Sequence, residues 1–307
     1  MAADRTLGAT ATDASAMSSV AIAPDRDAPG PDDASPATAS TLVPAVRDAA
    51  ELARWRALDW QLIPEVARAP LTNMALDETL TLRVGRSERP PTLRIWGWSG
   101  RCVVLGRFQS VRNEVNEGAA AEHGVELVRR ISGGGAMFIE PEGAITYSIY
   151  APEAFVRGMD FPQSYAFFDA WVVEALRELG VDAWYAPLND ITSSGGKIGG
   201  AAQARRGGAV LHHTTIAYQM NVPLMLSVLR IGQEKLSDKG MRSAEKRVGP
   251  LRQQTDLSRA AIIDHLVASF RTRHGLTDDD VTAAELEDAD RRVMARFGTR
   301  EWRYFLP

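Results

Sequence analysis

The 307-residue chain contains only one cysteine, Cys102, and five histidines. So few soft ligands exclude a disulfide framework, an iron–sulfur cluster and a zinc ribbon, and a single thiol is typical of a reducing compartment. No apolar run is long enough to cross a bilayer, and no basic segment followed by an apolar one marks a signal peptide. The net charge of -4 gives no reason to expect a nucleic acid or an anionic membrane as partner. These absences predict a soluble cytoplasmic protein.

The first 50 residues differ in composition from the rest of the chain. They are rich in Ala, Ser, Thr, Asp and Pro and contain almost no large apolar side chains. Such a segment cannot bury enough surface to offset the entropy lost on ordering. We therefore predict a disordered extension over residues 1–50, or a start codon assigned too far upstream, followed by one domain over residues 51–307.

Local patterns in residues 51–307 predict an α+β domain with a mixed or antiparallel sheet. The clearest helix is 164–179, where an apolar stripe ends before Gly180. Thr72-Asn73 is typical of a helix cap, and 92–96 with 102–106 of a hairpin. Further strands are predicted at 125–130, 145–150, 181–185 and 210–220, and further helices at 224–229, 258–271 and 283–297.

A glycine-rich turn follows the predicted strand at 125–130. Its sequence is Arg129-Arg130-Ile131-Ser132-Gly133-Gly134-Gly135. Glycines let the backbone approach a ligand without a Cβ atom, and successive amides in such a turn form an anion-binding concavity. The motif alone equally fits a flexible turn with solvated arginines, and it lacks the Gly-Lys-Ser/Thr ending of a Walker A loop.

A second glycine-rich segment, 195–203, contains Lys197 and is predicted to be a loop. A lone lysine in such a loop is usually an exposed cation. A backbone that closes on both sides of the ammonium would suit a group that stabilises negative charge on a carboxylate and a phosphate.

Two further segments favour structural roles when taken alone. His212 and His213 lie on the predicted strand 210–220, so they point to opposite faces and make a poor metal site. We expect one histidine in the core or an interface and the other exposed. The segment 234–250 is typical of a solvated charged loop.

Taken together and in this order, the segments resemble the lipoate–protein ligase A branch of the biotin/lipoate A/B protein ligase superfamily. The family's motifs are matched at Arg129–Ala136 (Arg-Arg-x-Ser-Gly-Gly-Gly-Ala), Asn189-Asp190, Lys197–Ala202 (Lys-Ile-x-Gly-x-Ala), His212–Thr215, Lys235–Val248, Asn73–Glu78 and Gly106–Gln109. Each motif is weak alone, but the ordered set is specific and extends from about residue 58 to residue 303.

The resemblance implies a mixed sheet flanked by helices, with an acyl tunnel beneath the glycine loop. It implies ATP-dependent ligation of lipoate or octanoate to a carrier lysine through an acyl-adenylate, with ATP and Mg²⁺ as cofactors. Lys197 would be catalytic, and Asp190 is the one candidate for Mg²⁺. The adenylate-binding residues would be Arg130, Ser132, Gly133, Gly134, Gly135, Asn189, Asp190, Gly199 and Ala201.

The resemblance also implies partners, namely the lipoyl domains of 2-oxoacid dehydrogenase E2 subunits and the glycine cleavage H protein. Two-domain ligases carry a small C-terminal domain for which this sequence has no counterpart before Pro307, so a separate accessory subunit is expected. The sequence departs from the family at Ile139-Glu140 (usually His-Asp), at Gly143-Ala144 (often Gly-Asn in the ligases) and at Thr214 (usually glycine). These departures leave the nucleotide contacts open.

Other activities compete with the ligase hypothesis. An octanoyl transferase that works through a cysteine thioester has a motif resembling Gly199–Gly208, but its nucleophile position corresponds here to Ala183, four residues before Pro187. Because Cys102 lies far upstream, the sequence favours the ligase over the transferase. A non-catalytic lipoyl-binding protein is a third hypothesis. A biotin ligase is disfavoured, since its Gly-Arg-Gly-Arg loop is absent.

Overall fold

The computed structural model describes residues 49–230 and 248–306. Its strands there are β1 (Gln61–Arg68), β2 (Thr92–Trp98), β3 (Cys102–Leu105), β4 (Glu126–Arg129), β5 (Met137–Ile139), β6 (Ala144–Pro152), β7 (Ala183–Ala186), β8 (Asp190–Ser193), β9 (Gly196–Arg206), β10 (Ala209–Ala217) and β11 (Thr277–Asp278). Eight of these strands form one sheet in the order β11-β1-β2-β6-β10-β9-β8-β7, and β4-β3-β5 form a second. Both sheets mix parallel and antiparallel pairs.

The α-helices in the same residues are α1 (Ala49–Arg56), α2 (Pro70–Gly85), α3 (Val111–Glu114), α4 (Glu117–Glu122), α5 (Phe161–Glu178), α6 (Val222–Val228), α7 (Arg259–His274), α8 (Ala283–Arg292) and α9 (Arg300–Arg303). A mixed sheet flanked by helices is the fold class that the sequence predicts, and it is confirmed. The last predicted helix, 283–297, divides into α8 and a π-helical turn at Val293–Phe297. Among the described residues, no helix is both long and apolar enough to cross a membrane.

Alternation along the two central strands divides the core into two layers. On β6, Tyr147 and Ile149 pack with Phe168 of α5 and Phe270 of α7. Tyr150, the next residue along the strand, packs on the other face, against α2 and the smaller sheet. The side chains of β6 and β10 that face α2 therefore lie in the layer between the large sheet on one side and α2 with the small sheet on the other.

The predicted hairpin between 92–96 and 102–106 is wrong. β2 pairs with β1 in parallel and with β6 in antiparallel orientation, whereas β3 belongs to the smaller sheet. Every residue of β2 is buried, as expected for a central strand with neighbours on both sides. Short-range turn signals cannot reveal that a strand already has two other partners.

The predicted cap at Thr72-Asn73 is also wrong, because α2 begins at Pro70. Proline suits the first helical position, where its fixed φ is preorganised and its missing N–H costs nothing. Asn73 is buried, and its amide donates to the carbonyl of Gly97 at 2.9 Å. The predicted extension, 1–50, lies outside the described residues except for its last two, which begin α1.

Candidate functional site

A cavity of about 390 Å³ lies between the two sheets on the α2 side, a size typical of small-ligand sites. Its walls are mainly apolar. They include Met74, Trp96, Trp98, Val104, Met137, Ile139, Met220, Met225, Leu226 and Leu229. The polar side chains in the wall include Arg130, Asn189, Lys197 and His213, and also Glu140, Thr146, Thr215 and Gln219. An apolar pocket with a few converging polar groups suits a ligand with a long apolar part and one polar end.

Lys197 contributes the ammonium group in this wall. Its Nζ lies 2.7 Å from Asp190 Oδ1, and the lysine side chain is 49% exposed. At that exposure the ion pair is worth little for stability, so its value lies in directing the ammonium. A positive charge at the polar part of an apolar pocket can stabilise negative charge that develops on a bound acyl group.

Lys197 lies on a strand, which corrects the predicted loop at 195–203. β9 pairs with β10 on one side and with β8 on the other. The register shifts between Ile191 and Thr192 of β8, so Ile198 of β9 is the extra residue of a bulge beside Lys197. Bulges change the direction of neighbouring side chains and are common beside active sites.

Asn189 and the small residues of β9 surround the lysine. The Asn189 side chain donates to the carbonyl of Ala201 at 2.6 Å, and the amide of Ala201 donates to the carbonyl of Asn189 at 2.8 Å. A Cβ atom on Gly200 would lie 3.4 Å from both Asp190 Oδ1 and Lys197 Nζ. A side chain at this position would therefore touch both members of the ion pair.

The guanidinium of Arg130 binds the backbone of the glycine loop. Its Nη2 donates to the carbonyls of Gly133 and Gly135 at 2.6 and 2.8 Å, and its Nη1 donates to Val104 at 3.1 Å. Gly134 has φ +86°, and a Cβ atom there would lie 2.9 Å from Arg130 Nη2. Burial lowers the pKa of Arg130 to about 10, so the group stays charged at neutral pH.

Arg129, the first arginine of the pair, has a different position. It donates to the carbonyls of Gly106, Arg107 and Gln109 and to those of Trp302 and Arg303 near the C-terminus. Its donors are committed to backbone carbonyls that lie outside the cavity wall. Arg129 thus joins α9 to the loop after β3.

The structure brings most of the predicted site residues to one cavity. Those that line it are Arg130, Gly134, Gly135, Asn189, Lys197, Gly199 and Ala201. Ser132, Gly133 and Asp190 do not line it but contact residues that do. The roles that the resemblance implies for these residues stay predictions.

Both histidines of β10 are buried, so the expectation of one exposed histidine is wrong. They do point to opposite faces, as strand alternation predicts. His212 Nε2 lies 2.8 Å from Asp169 Oδ1 on the α5 side. His213 Nδ1 lies 2.7 Å from Asp77 Oδ2 on the α2 side, and its ring lines the cavity. Asp77 lies in the matched segment Asn73–Glu78 and is buried in α2, but no motif assigns it a role.

Cys102 is fully buried within β3. Burial raises the pKa of its thiol well above the usual value, and the carboxylate of Glu126 adds to this shift. A thiol that is both inaccessible and hard to ionise is a poor nucleophile.

Three departures from the family motifs, Ile139, Glu140 and Ala144, form part of the cavity wall, whereas Thr214 donates to Asp169 on the α5 face. Ile139 is buried, and Glu140 accepts hydrogen bonds from Arg101 Nε and the amide of Asn221, both at 3.2 Å. The matched segment Lys235–Val248 lies outside the described residues except for Val248, which lines the cavity and forms a bridge with Lys197.

Comparison with known proteins agrees with this geometry. The family model of the lipoyl protein ligase A/B catalytic domain matches residues 69–271. An octanoyltransferase LipM of Kyrpidia tusciae is 29% identical over 273 residues, which are 80% of this chain and 98% of that protein. The LipM of Moorella thermoacetica is 33% identical over 201 residues, 57% of this chain and 71% of that protein.

Solved structures with the same architecture include ligases. The bipartite lipoate protein ligase of Thermoplasma acidophilum, studied with its E2 lipoyl domain, has a TM-score of 0.72 and 28% identity, covering 81% of this chain and 98% of that one. A lipoate-protein ligase A bound with ATP has a TM-score of 0.70 and 26% identity, covering 81% and 100%. The chain is therefore an enzyme of the lipoate and octanoate ligase–transferase group and belongs to the lipoyl protein ligase A/B catalytic domain family.

Proposed function

We propose that this enzyme transfers an octanoyl group from a carrier-protein thioester to a second carrier protein of the lipoyl-domain type. The observation that carries the proposal is the apolar cavity of about 390 Å³ with the Lys197 ammonium in its wall. The cavity suits a medium-length aliphatic chain, and the ammonium suits the reacting carbonyl. The LipM relatives, which are octanoyltransferases, support this reading over the ATP-dependent ligation favoured by sequence motifs.

The transfer proceeds without a cysteine intermediate. Cys102 is the chain's single cysteine, and it is fully buried in β3. In the proposed step, the amine of the acceptor lysine attacks the thioester carbonyl directly. The C–N bond forms, the C–S bond breaks, and the amine proton leaves with the carrier thiol. Lys197 stabilises the oxyanion of the tetrahedral intermediate.

ATP-dependent ligation is the second candidate, and the buried thiol is the observation that favours it. An acyl-adenylate needs no nucleophile on the enzyme, because ATP would supply the leaving group. The residues present fit the nucleotide in part: Arg130, Gly134 and Gly135 line the cavity beside Lys197. Among the described residues no cluster of three metal-binding side chains exists, and Asp190 is already paired with Lys197. Mg²⁺ would thus rely on one carboxylate and the nucleotide's own phosphates, an arrangement that is common for this ion.

One acceptor assay separates the two candidates. The purified chain is mixed with an apo lipoyl domain and either an octanoyl-carrier thioester without ATP or octanoate with ATP and Mg²⁺, and the acceptor is followed by intact mass. We expect octanoylation in the first mixture and none in the second. Octanoylation only in the second, together with octanoate-dependent ATP–pyrophosphate exchange, would replace the transferase with the ligase. An unmodified acceptor in both mixtures would contradict both activities.

The partners follow from the acceptor chemistry. A lipoyl-domain carrier offers a lysine on a small folded domain, and E2 subunits and the H protein are the acceptors we expect. The Thermoplasma ligase was studied together with an E2 lipoyl domain, which supports this class. A requirement for an accessory subunit stays a prediction, and adding such a subunit to the same assay tests it.

A further inference from the structure

A chain of buried polar groups links α2 to the glycine loop. Asp77 Oδ2 lies 2.7 Å from His213 Nδ1, and His213 Nε2 lies 2.7 Å from Ser132 Oγ. Arg130 Nε donates to Ser132 Oγ at 3.0 Å. None of these four residues is more than 6% exposed. The last member, Arg130, is also the group that grips the carbonyls of Gly133 and Gly135.

Burial lowers the pKa of His213 and so favours the neutral ring, and with a neutral ring the chemistry of the groups fixes the direction of every hydrogen bond in this chain. A guanidinium only donates, so Ser132 Oγ accepts from Arg130, and the Nε2 lone pair of neutral His213 accepts the Ser132 proton. His213 then carries its proton on Nδ1 and donates it to the Asp77 carboxylate. Asp77 also accepts from Ser148 Oγ and from Tyr150 at its other oxygen. This arrangement requires a neutral His213.

The order Asp–His–Ser is also that of a hydrolase triad, but the surroundings of Ser132 differ from those of a nucleophile. Ser132 is 1% exposed and is not one of the residues that line the cavity. Its oxygen already accepts from Arg130. In contrast, His213, Arg130 and Gly134 do line the cavity. The hydrogen-bonded chain therefore affects a bound ligand by setting the shape of the cavity wall.

We propose that Asp77, His213 and Ser132 are positioning residues that hold the Arg130-clamped glycine loop in the shape that binds the polar end of the acyl group. This rests on the proposed function only in taking the cavity as the acyl site. Lys197 lies on β9, outside this chain of contacts, so weakening the chain affects acyl binding more than the chemical step.

The chain also makes acyl binding sensitive to acid. Protonated His213 carries a hydrogen on Nε2 and donates it to Ser132 Oγ, so the Ser132 hydroxyl proton must turn to another acceptor and the hydrogen bonds at the loop rearrange. The charged or polar groups facing His213 are Asp77 of α2 and Ser132 and Arg130 of the glycine loop, with Trp96 of β2 packed edge-on against its ring. His212, on the opposite face of β10, acts on His213 only through its charge. Asp77 favours the protonated ring, whereas Arg130, His212 and burial oppose it.

The test compares Ser132→Ala with Tyr150→Phe. Each variant loses one buried hydroxyl of the same network, but Tyr150 contacts Asp77 and not the loop. Octanoate binding is measured by isothermal titration between pH 5 and pH 8. For Ser132→Ala we expect the dissociation constant to rise about tenfold at pH 8, the size of one net hydrogen bond. The weakening at acid pH that we expect of the wild type should disappear in this variant. Tyr150→Phe should keep wild-type affinity, and Ser132→Thr should restore it.

Several results would overturn the inference. An unchanged affinity in Ser132→Ala would remove the positioning role, and an equal loss in Tyr150→Phe would make the network merely structural. An acyl ester trapped on Ser132 would make the serine a nucleophile instead. Failure of the wild type to bind octanoate would remove the acyl site itself. By contrast, octanoate binding with the expected difference but no carrier-to-carrier transfer would contradict only the proposed function.

Discussion

The two faces of the central sheet each bury a histidine–carboxylate pair, from adjacent residues of β10. On the α5 face, His212 and Asp169 are fully buried, and the imidazole stacks on Phe168 at a centroid distance of 4.8 Å. On the α2 face, His213 and Asp77 have nearly the same separation, but their contacts continue to Ser132 and the cavity wall. The same chemistry therefore serves the interior on one face and a ligand site on the other.

What distinguishes the pairs is where their hydrogen bonds end. His212 Nδ1 contacts the side-chain amide of Gln203, which in turn accepts from Ser164 at the start of α5. That network joins β10, β9 and α5. The His213 network joins β10 and α2 to a loop whose backbone lines the cavity. We therefore expect substitutions on the first face to change stability and substitutions on the second to change ligand binding or turnover.

The largest effect should come from Asp169→Ala. This change leaves His212 and Thr214 without their buried acceptor. Removing one partner of a buried hydrogen-bonded pair costs roughly 3–5 kcal/mol. Urea denaturation should show this loss, and Asp169→Asn, which keeps the shape, should lose less. Transfer per folded molecule should stay within about twofold of wild type, and a large rise in KM would break the distinction between the faces.

Lys197→Ala should show the opposite pattern. The loss of one preorganised charge at the reacting carbonyl lowers kcat by roughly 100-fold or more. Because the side chain is half exposed, the free energy of unfolding should change by no more than about 0.5 kcal/mol. The matched control is Arg205→Ala, a cation on the same strand that contacts the carbonyl of Met159 and the ring of Phe161. Near-normal turnover in Lys197→Ala would remove the lysine from the mechanism.

A pH series sharpens the comparison further. Burial lowers the pKa of His213 below its ordinary value of 6.5. Between the folded and unfolded pKa values the unfolded chain binds more protons, so the stability contributed by neutral His213 is lost as pH falls below about 6.5. One such group changes the free energy of unfolding by at most about 1.4 kcal/mol per pH unit. The free energy of unfolding, measured at successive pH values, should therefore depend less on pH in His213→Gln than in the wild type. The same dependence on pH in both proteins would contradict this assignment.

The smallest combined effect on stability and activity should come from Cys102→Ala, because this residue lies in the smaller sheet, outside the hydrogen-bond network. We expect a loss of about 1 kcal/mol from the small cavity and an activity within about twofold of wild type. Intact mass with an acyl donor and no acceptor should find no thioester on the wild-type chain. A hydroxylamine-labile adduct on Cys102, or loss of activity in the variant, would restore the cysteine mechanism.

The sequence predicted the elements whose signals are local. The apolar stripe of α5 fixes its face, and Asp160 with Gln163 forms a capping box at its start. Strands β6 and β10 are buried on both faces, and their alternate residues pack into the two core layers. Lys197 was predicted to lie in a loop because glycines disfavour strands. Hydrogen-bond ladders to β8 and β10 outweigh that preference, since strand propensity depends strongly on context.

The site was predicted from ordered motifs, but its supporting groups were not. The motifs placed Lys197, Asn189 and the glycine loop together, and the cavity brings them together. Asp77 and His213 are separated by 136 positions along the chain. No local pattern links residues so far apart, and a histidine on a strand is compatible with either a buried or an exposed position. Their pairing becomes visible only when α2 lies across β10.

The contacts of Arg129 connect the end of the described chain to the loop after β3, next to the ligand site. One guanidinium holds the carbonyls of Trp302 and Arg303 on one side and those of Gly106 and Gln109 on the other. The indole of Trp302 returns a hydrogen bond to the carbonyl of Arg129 at 3.0 Å. A rigid fusion or a short tag that displaces this end would therefore also displace Arg129, the residue next to Arg130, which binds the glycine loop. A fusion joined through a long flexible linker should leave this end in place and the activity unchanged.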